Sequence, residues 1–148
     1  MIMDENLSKA IEILNNNNNF TCVFSNGTTI IKSEKRGVAP LLELLESGND
    51  FTAFSCADKV IGKGAALLYC LLKPKIVYSN VISECAKETF LEHNIKFLFK
   101  NEVKYILNRA KSGKCPIENA VADINEPNMA VKVIIKTLAE LRENNERR

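Results

Sequence analysis

The sequence lacks the features that mark membrane, secreted and strongly charged proteins. No apolar run approaches the roughly 20 residues that a membrane-spanning helix needs. Residues 1–5 have neither the basic nor the apolar region of a signal peptide. The net charge of +2 is too small to favour nucleic acid or an anionic membrane as a partner. These absences predict a cytoplasmic protein that binds neither nucleic acid nor a membrane.

The cysteines and the histidine are too few, or too poorly spaced, for a disulfide framework or a common metal site. The five cysteines are odd in number and form no Cys-x-x-Cys pair, and there is one histidine. We therefore expect free thiols in a reducing compartment, and we predict neither a metal nor a cofactor. A thiolate metal site at Cys56, Cys85 and Cys115 is an alternative that no ligand spacing supports.

The composition is otherwise that of an ordinary globular domain. The chain has 148 residues, of which 46% are hydrophobic and 26% are charged. This size favours a single domain over 1–148 with one core, and the polar end, 144–148, is expected to be frayed.

Hydrophobic spacing and turn residues predict alternating helices and strands. Leu7, Ala10, Ile11 and Leu14 recur at helical spacing, and Asn26-Gly27 is the strongest short hairpin signal. Helices are predicted at 5–15, 37–46, 62–72, 83–93, 103–109, from 116, and at 127–143. Strands are predicted at 20–25, 28–32, 51–56, 75–81 and 95–99.

This order of elements predicts an α/β fold. An N-terminal antiparallel hairpin followed by β-α-β units makes a mixed five-stranded sheet, with helices on both faces and extra helices at the C-terminus. The high apolar content of the last helix also favours a homodimer, although packing against the sheet would explain the same pattern.

The order of elements resembles the cytidine deaminase-like fold, a three-layer α/β/α sandwich. The residues most similar to it are 76–86, with Cys85 in place of the first cysteine of the deaminase Pro-Cys-x-x-Cys motif. Glu84 takes the place of the motif's proline and Glu88 that of its second cysteine, while the ligand position at the first helix holds Gly62, Lys63 or Gly64. Because zinc deamination needs three His or Cys ligands and a proton-shuttling Glu, the resemblance implies this fold without zinc-dependent deamination.

A second resemblance covers the run 58–66, Asp-Lys-x-x-Gly-Lys-x-Ala-Ala, with a later Asn-Arg and Cys-Pro-x-Glu. This set is similar to an uncharacterised bacterial family of unknown function placed within the same fold. It implies the fold and the loss of zinc chemistry, but no substrate. The matching residues are Asp58, Lys59, Gly62, Lys63, Ala65, Ala66, Asn108, Arg109, Cys115, Pro116 and Glu118.

The glycine-containing turn after the third strand is the first candidate site. Gly62 and Gly64 let the backbone approach a ligand, and the free N–H groups of the helix that begins there suit an anion. Lys59 and Lys63 add positive charge, and Asp58 could hold a lysine, bind a hydroxyl or act as a base. The P-loop pattern is absent, which argues against ATP hydrolysis. The alternative is that the glycines only permit tight packing and the lysines are solvated.

The next strand-to-helix turn supplies further candidates. Ser79, Asn80 and Ser83 are predicted to line the same crevice as ligand-binding residues. Cys85 at the helix start is a candidate nucleophile, because free amides lower the pKa of a thiol; a packing role is the alternative. Arg109 is predicted to close the crevice on a phosphate or carboxylate, while Glu118 is expected to favour the positive end of its own helix.

The sequence leaves three functions open. The first is binding of a small anionic ligand, such as a nucleotide or phosphorylated metabolite, at residues 58–66. The second is a zinc-independent transferase or hydrolase that uses Asp58 with Lys59 or Lys63, or else Cys85. The third is an interaction module without catalysis.

Overall fold

The computed structural model describes residues 4–107 and 113–146, which form a mixed five-stranded sheet with six helices. None of the helices in these ranges is long and apolar enough to cross a membrane. The strands are β1 (Cys22–Ser25), β2 (Ile30–Ser33), β3 (Ser55–Ile61), β4 (Ile76–Ser83) and β5 (Phe97–Val103). The helices are α1 (Glu5–Asn16), α2 (Ala39–Ser47), α3 (Lys63–Leu72), α4 (Glu84–Glu92), α5 (Pro116–Ala120) and α6 (Pro127–Glu146).

The strands follow the order β2-β1-β3-β4-β5 across the sheet. β1 is antiparallel to both β2 and β3, while β3, β4 and β5 are parallel. The predicted hairpin is present: Asn26 Oδ1 accepts from the N–H groups of Thr28 and Thr29 at 3.0 and 2.7 Å, and Gly27 has a φ of +98°. The predicted α/β class and mixed sheet are thus confirmed.

Helices lie on both faces of the sheet. The apolar side of α1 covers one face, where Ala10 and Leu14 pack against Val23 of β1 and Ala57 of β3. The opposite face carries the larger core, which includes Cys56, the neighbour of Ala57, and is covered by α2, α3 and α4, with α6 packed against α3. Nearly every residue of α3 is buried, so this helix is the centre of the larger core.

The third strand begins later than its apolar residues predict. Phe51 and Phe54 are buried in the core, but they lie in a turn closed by the Phe54 N–H and the Phe51 carbonyl at 3.0 Å. The predicted strand at 51–56 was therefore wrong over its first four residues. As a consequence, Asp58 and Lys59 are part of β3 rather than of the turn that follows it.

The region after α4 also differs from the prediction. β5 continues to Val103, and Leu107 then forms an antiparallel bridge with Lys114. The helix predicted at 103–109 was therefore wrong over 103–107, and its last two positions lie outside the described residues. The apolar residues of this stretch fit helical spacing locally, but pairing with β4 and with Lys114 satisfies the backbone instead.

The three parallel strands share a break in side-chain alternation. Lys59, Asn80 and Lys100 lie at the same level of the sheet, and each lacks a partner in the register. In β3, Asp58 contacts Tyr69 of α3, and Ile61, three residues later, lies in the same core. Residues three apart face opposite sides in a regular strand, so one extra residue at Lys59 changes the facing. We call this level the alternation break.

Candidate functional site

The N-terminus of α3 is capped by a side chain from a distant part of the sequence. Gly62 is the N-cap residue and has no side chain to offer. Instead, the Lys63 N–H donates to both carboxylate oxygens of Glu118, at 2.8 and 2.9 Å. A carboxylate at this position satisfies free amides and complements the helix dipole. The chain thus supplies its own anion to the helix end at which the sequence predicts an external one.

Both glycines of the turn make room for α5. A Cβ atom on Gly62 would lie 1.6 Å from Glu118 Oε1, and one on Gly64 would lie 2.6 Å from Ile117 Cγ2. Gly62 has an ordinary extended backbone (φ −99°, ψ −176°), so space rather than backbone strain requires glycine there. The Gly-Lys-Gly run and the Cys-Pro-x-Glu run, separate in the sequence, therefore form one packed unit.

The Lys63 side chain is turned into the protein. Its Nζ donates to the Ala122 carbonyl at 2.8 Å, and the residue is only 7% exposed. Lys59 is also engaged, because its Nζ donates to the carbonyls of Asn17 and Asn18 at 3.3 and 2.8 Å. These carbonyls follow the C-terminal end of α1, where a cation is favourable. Each lysine thus has a structural partner within the chain.

Asp58 has an unusual environment for a carboxyl group. Tyr69 OH donates to its Oδ2 at 2.7 Å, and the Val60 N–H donates to Oδ1 at 3.4 Å. Burial raises the pKa of Asp58 to about 7, and these hydrogen bonds only partly oppose the rise. Burial and the charge of Asp58 also raise the pKa values of the neighbouring Cys22 and Cys56 thiols, which therefore stay protonated at neutral pH.

A cavity of about 210 Å³ lies beside the start of α3. Asp58 and Glu118 both line it, and burial raises the pKa of Glu118 as well, against the opposing effects of the Lys63 N–H and of Lys63 and Lys114. The exposed side chain of Arg36 also lines the cavity and therefore lies at its opening. Most of the remaining surface is apolar. The other lining residues are Thr21, Gly37, Val38, Lys59, Val60, Gly62, Gly64, Ala65, Ile106, Cys115 and Ile117.

The predicted residues of β4 and α4 lie outside this cavity. Ser79 Oγ donates to the Val81 carbonyl, and Ser83 Oγ caps α4 by accepting from the Ala86 N–H at 3.2 Å. The Asn80 side chain bonds with Tyr78 OH and with Asn15 of α1. Cys85 is exposed on α4. None of these four predicted residues is among those that line the cavity. Arg109 lies outside the described residues.

The sequence does not predict several contributors to the cavity. Arg36 and Ile106 line it, and Tyr69 holds Asp58, yet none of them stands in a recognisable motif. For Glu118, the sequence predicts only an interaction with the positive N-terminal end of its own helix, α5. Its presence in the Cys-Pro-x-Glu run was the one available signal that this segment meets the glycine turn.

Comparison with known proteins identifies the family. Residues 9–138 match the family model described as "TM1506: Domain of unknown function (DUF1893)". The chain belongs to the DUF1893 family. The crystal structure of a DUF1893 family protein, TM1506 from Thermotoga maritima, superposes with a TM-score of 0.80 at 22% sequence identity. The match covers 94% of this chain and 92% of that one, and it shows a shared fold. A search of curated proteins found no match.

The DUF1893 region contains the whole cavity. Its lining residues run from Thr21 to Glu118, inside the matched range 9–138. Two of the three segments that carry the sequence resemblance, around Asp58 to Ala66 and Cys115 to Glu118, meet at this cavity; the third, Asn108-Arg109, lies outside the described residues. The cavity is therefore the candidate functional site of this DUF1893 domain.

Proposed function

We propose that this DUF1893 domain binds a small nucleotide-like ligand in the cavity at the start of α3. In this proposal a nitrogen-containing ring enters the cavity and donates hydrogen bonds to Asp58 and Glu118. The phosphate of the ligand lies at the opening, beside Arg36. The observation that carries the proposal is the distribution of charge around a largely apolar cavity: two carboxyl groups, one exposed guanidinium, and Lys59, whose ammonium is already bound to the Asn17 and Asn18 carbonyls.

The volume supports a ligand with a small ring. Pockets for drug-sized molecules usually span roughly 300–1,000 Å³, whereas this cavity holds about 210 Å³. A single heterocyclic ring with its exocyclic groups suits that space better than a fused ring system. Apolar side chains such as Val38 and Ile117 would cover the faces of the ring, which leaves the carboxyl groups to select its polar edge.

The position of the anionic group differs from the one suggested by the sequence. The α3 amide of Lys63 already binds Glu118, so a phosphate there would have to displace that carboxylate. Arg36 has no partner of this kind among the described residues, and guanidinium groups bind phosphate with two parallel hydrogen bonds. We therefore place the phosphate at Arg36.

The proposal includes the cytidine deaminase-like fold but no zinc. A hairpin that precedes three parallel strands, with helices on both faces, supports that fold. The zinc-ligand positions of a deaminase correspond here to one of Gly62, Lys63 or Gly64, to Cys85 and to Glu88, and these residues do not make a three-ligand His or Cys set. A cytoplasmic location and a homodimeric state stay predictions.

Replacing Arg36 with Ala is expected to weaken binding of the ligand's phosphate while leaving binding of its ring unchanged. A charge-assisted contact contributes about 1.5–3 kcal/mol, so affinity for a pyrimidine nucleoside monophosphate should fall roughly 10-fold or more, with little change for the corresponding nucleoside. Titration calorimetry with both ligands measures this. Arg142→Ala, an exposed arginine on α6 outside the cavity, is the matched control. Absence of binding by the whole panel of nucleosides and monophosphates would contradict the proposal.

A second candidate function is proton transfer by Asp58. A group whose pKa lies near 7 is suited to act as a general acid or base at neutral pH, and Asp58 lines the cavity. The other catalytic candidates from the sequence are less suited, because Cys85 does not line the cavity and the Lys63 ammonium is bound to the Ala122 carbonyl. Incubation of bound ligands with the protein and with Asp58→Asn, followed by chromatography, would test for a product that depends on Asp58.

A further inference from the structure

The two carboxyl groups of the cavity form no salt bridge in the part of the chain that the structure describes, although the charges of Lys63 and Lys114 act on Glu118 from a greater distance. The salt bridges within residues 4–107 and 113–146 join Lys35 to Glu43, Lys75 to Asp4 and Lys87 to Glu102, and none includes Asp58 or Glu118. The lysines nearest in sequence do not fill this role. Lys59 is bound to the carbonyls after α1, and the Lys63 ammonium donates to Ala122 O.

Asp58 also has unused capacity to accept hydrogen bonds. An ionised carboxylate has about four acceptor positions on its two oxygens. One is taken by Tyr69 OH and a second, at 3.4 Å, by the Val60 N–H. A ligand in the cavity can therefore meet both oxygens of Asp58 without displacing a protein group, whereas both oxygens of Glu118 already accept from the Lys63 N–H.

Building on the proposed function, we infer that the cavity selects a planar cationic nitrogen group, of the amidinium or guanidinium class, bound by the two oxygens of Asp58 with Glu118 on the same cavity lining. Such a group offers two parallel N–H donors that match a carboxylate in geometry and charge. It would also place a positive charge beside two carboxyl groups that form no salt bridge within the described residues. The ring edge of the nucleotide-like ligand would bind through an amidine-type arrangement of this kind.

Binding of a cation should be coupled to loss of a proton. The titratable and charged groups around Asp58 are Cys22 of β1, Cys56 of β3 and Tyr69 of α3, together with the other charged residues of the cavity lining, Glu118, Lys59 and Arg36. The thiols and the phenol have raised pKa values and stay neutral between pH 5.5 and 8. A cation binds the ionised form of Asp58, whose pKa is about 7 in the free protein. Proton linkage then weakens the affinity roughly 30-fold between pH 8 and pH 5.5.

Three probes with the same ring and different charge test this inference. Benzamidinium, benzamide and benzoate carry charges of +1, 0 and −1 on similar shapes. We expect benzamidinium to bind at least about 10-fold more tightly than benzamide, benzoate to bind most weakly, and calorimetry at pH 6.5 in two buffers to detect proton release. In amide-resolved NMR spectra, shifts at Val60 and Lys63 would place the probe in the cavity.

Asp58→Asn should remove both the preference for benzamidinium and its pH dependence, while the exposed Asp123→Asn should retain them. Urea unfolding would verify that each variant is folded. Equal binding of benzamide and benzamidinium, tighter binding of benzoate, or no binding by any probe would overturn the inference. Benzamidinium binding without nucleotide binding would support the inference and overturn the proposed function. Nucleotide binding without a preference for benzamidinium would overturn the inference and support the proposed function.

Discussion

Replacing Asp58 with Asn is expected to stabilise the domain by up to about 4 kcal/mol at pH 8 and to change its stability little at pH 4. The physical reason is that burial raises the pKa of Asp58 from 3.8 to about 7, and a difference of this size corresponds to about 4 kcal/mol as an upper bound. In the folded state the carboxyl keeps its proton between pH 4 and 7, whereas the unfolded chain loses it. The wild-type protein therefore loses stability as the pH rises through this range.

Asparagine keeps an oxygen that can accept from Tyr69 OH, so the substitution removes the charge and preserves this hydrogen bond. Urea unfolding of both proteins at pH 4.5, 6 and 8 would measure the difference, which should grow with pH and level off above about 7. The exposed Asp123→Asn should give a difference close to zero at all three values. A difference for Asp58→Asn that does not change with pH would show that the carboxyl titrates normally.

Replacing Glu118 with Ala is expected to destabilise the domain by about 2 kcal/mol at pH 7. The carboxylate satisfies the first amide of the buried helix α3 through both oxygens. Loss of a helix cap costs about 0.5–2 kcal/mol, and a hydrogen bond to a charged group contributes about 1.5–3 kcal/mol. The burial that raises the pKa of Glu118 offsets part of this gain. Glu118→Gln, which retains one acceptor, should cost about half as much.

Gly62 provides an independent test of the same contact. A Cβ atom there would lie 1.6 Å from Glu118 Oε1, so Gly62→Ala must push the carboxylate away. The double variant should then lose less stability than the sum of the two single changes, as measured by urea unfolding. Glu140→Ala on the exposed side of α6 is the matched control, and its effect should stay within about 0.5 kcal/mol. Strict additivity of Gly62→Ala and Glu118→Ala would contradict the capping contact.

The sequence predicts the strands of the sheet better than it predicts the residues at which each strand begins and ends. Local signals, such as Asn26-Gly27 and the helical spacing in α1, depend on neighbouring residues and were confirmed. The start of β3 was predicted too early because Phe51 and Phe54 are apolar, and apolar side chains can reach a core from a turn as well as from a strand. The predicted helix at 103–107 failed because pairing with β4 and Lys114, which is not a local property, decides that stretch.

The candidate site was predicted in part because its residues come from distant segments. Asp58, Lys59, Gly62 and Gly64 line the cavity, as expected for residues where a parallel strand leads into a helix. The role of Glu118 depends on a contact with Lys63 across 55 residues, and that of Tyr69 depends on the direction in which Asp58 points. No periodicity in the sequence encodes either contact. An anion site was a sound reading of Gly-Lys-Gly, but the sequence could not indicate that the chain contains its own carboxylate for it.

The alternation break has a consequence for how substitutions in the sheet are interpreted. If side chains alternated regularly along β3 and β4, counting from Cys56 and Val77 would place Val60 and Val81 in the core. In the structure, Ile61 and Ile82 are fully buried in that core, whereas Val60 is 45% exposed. The positions that tolerate polar residues should therefore change from one alternating set to the other at Lys59 in β3 and at Asn80 in β4. A homology alignment that shifts either strand by one residue beyond this level would exchange its buried and exposed positions.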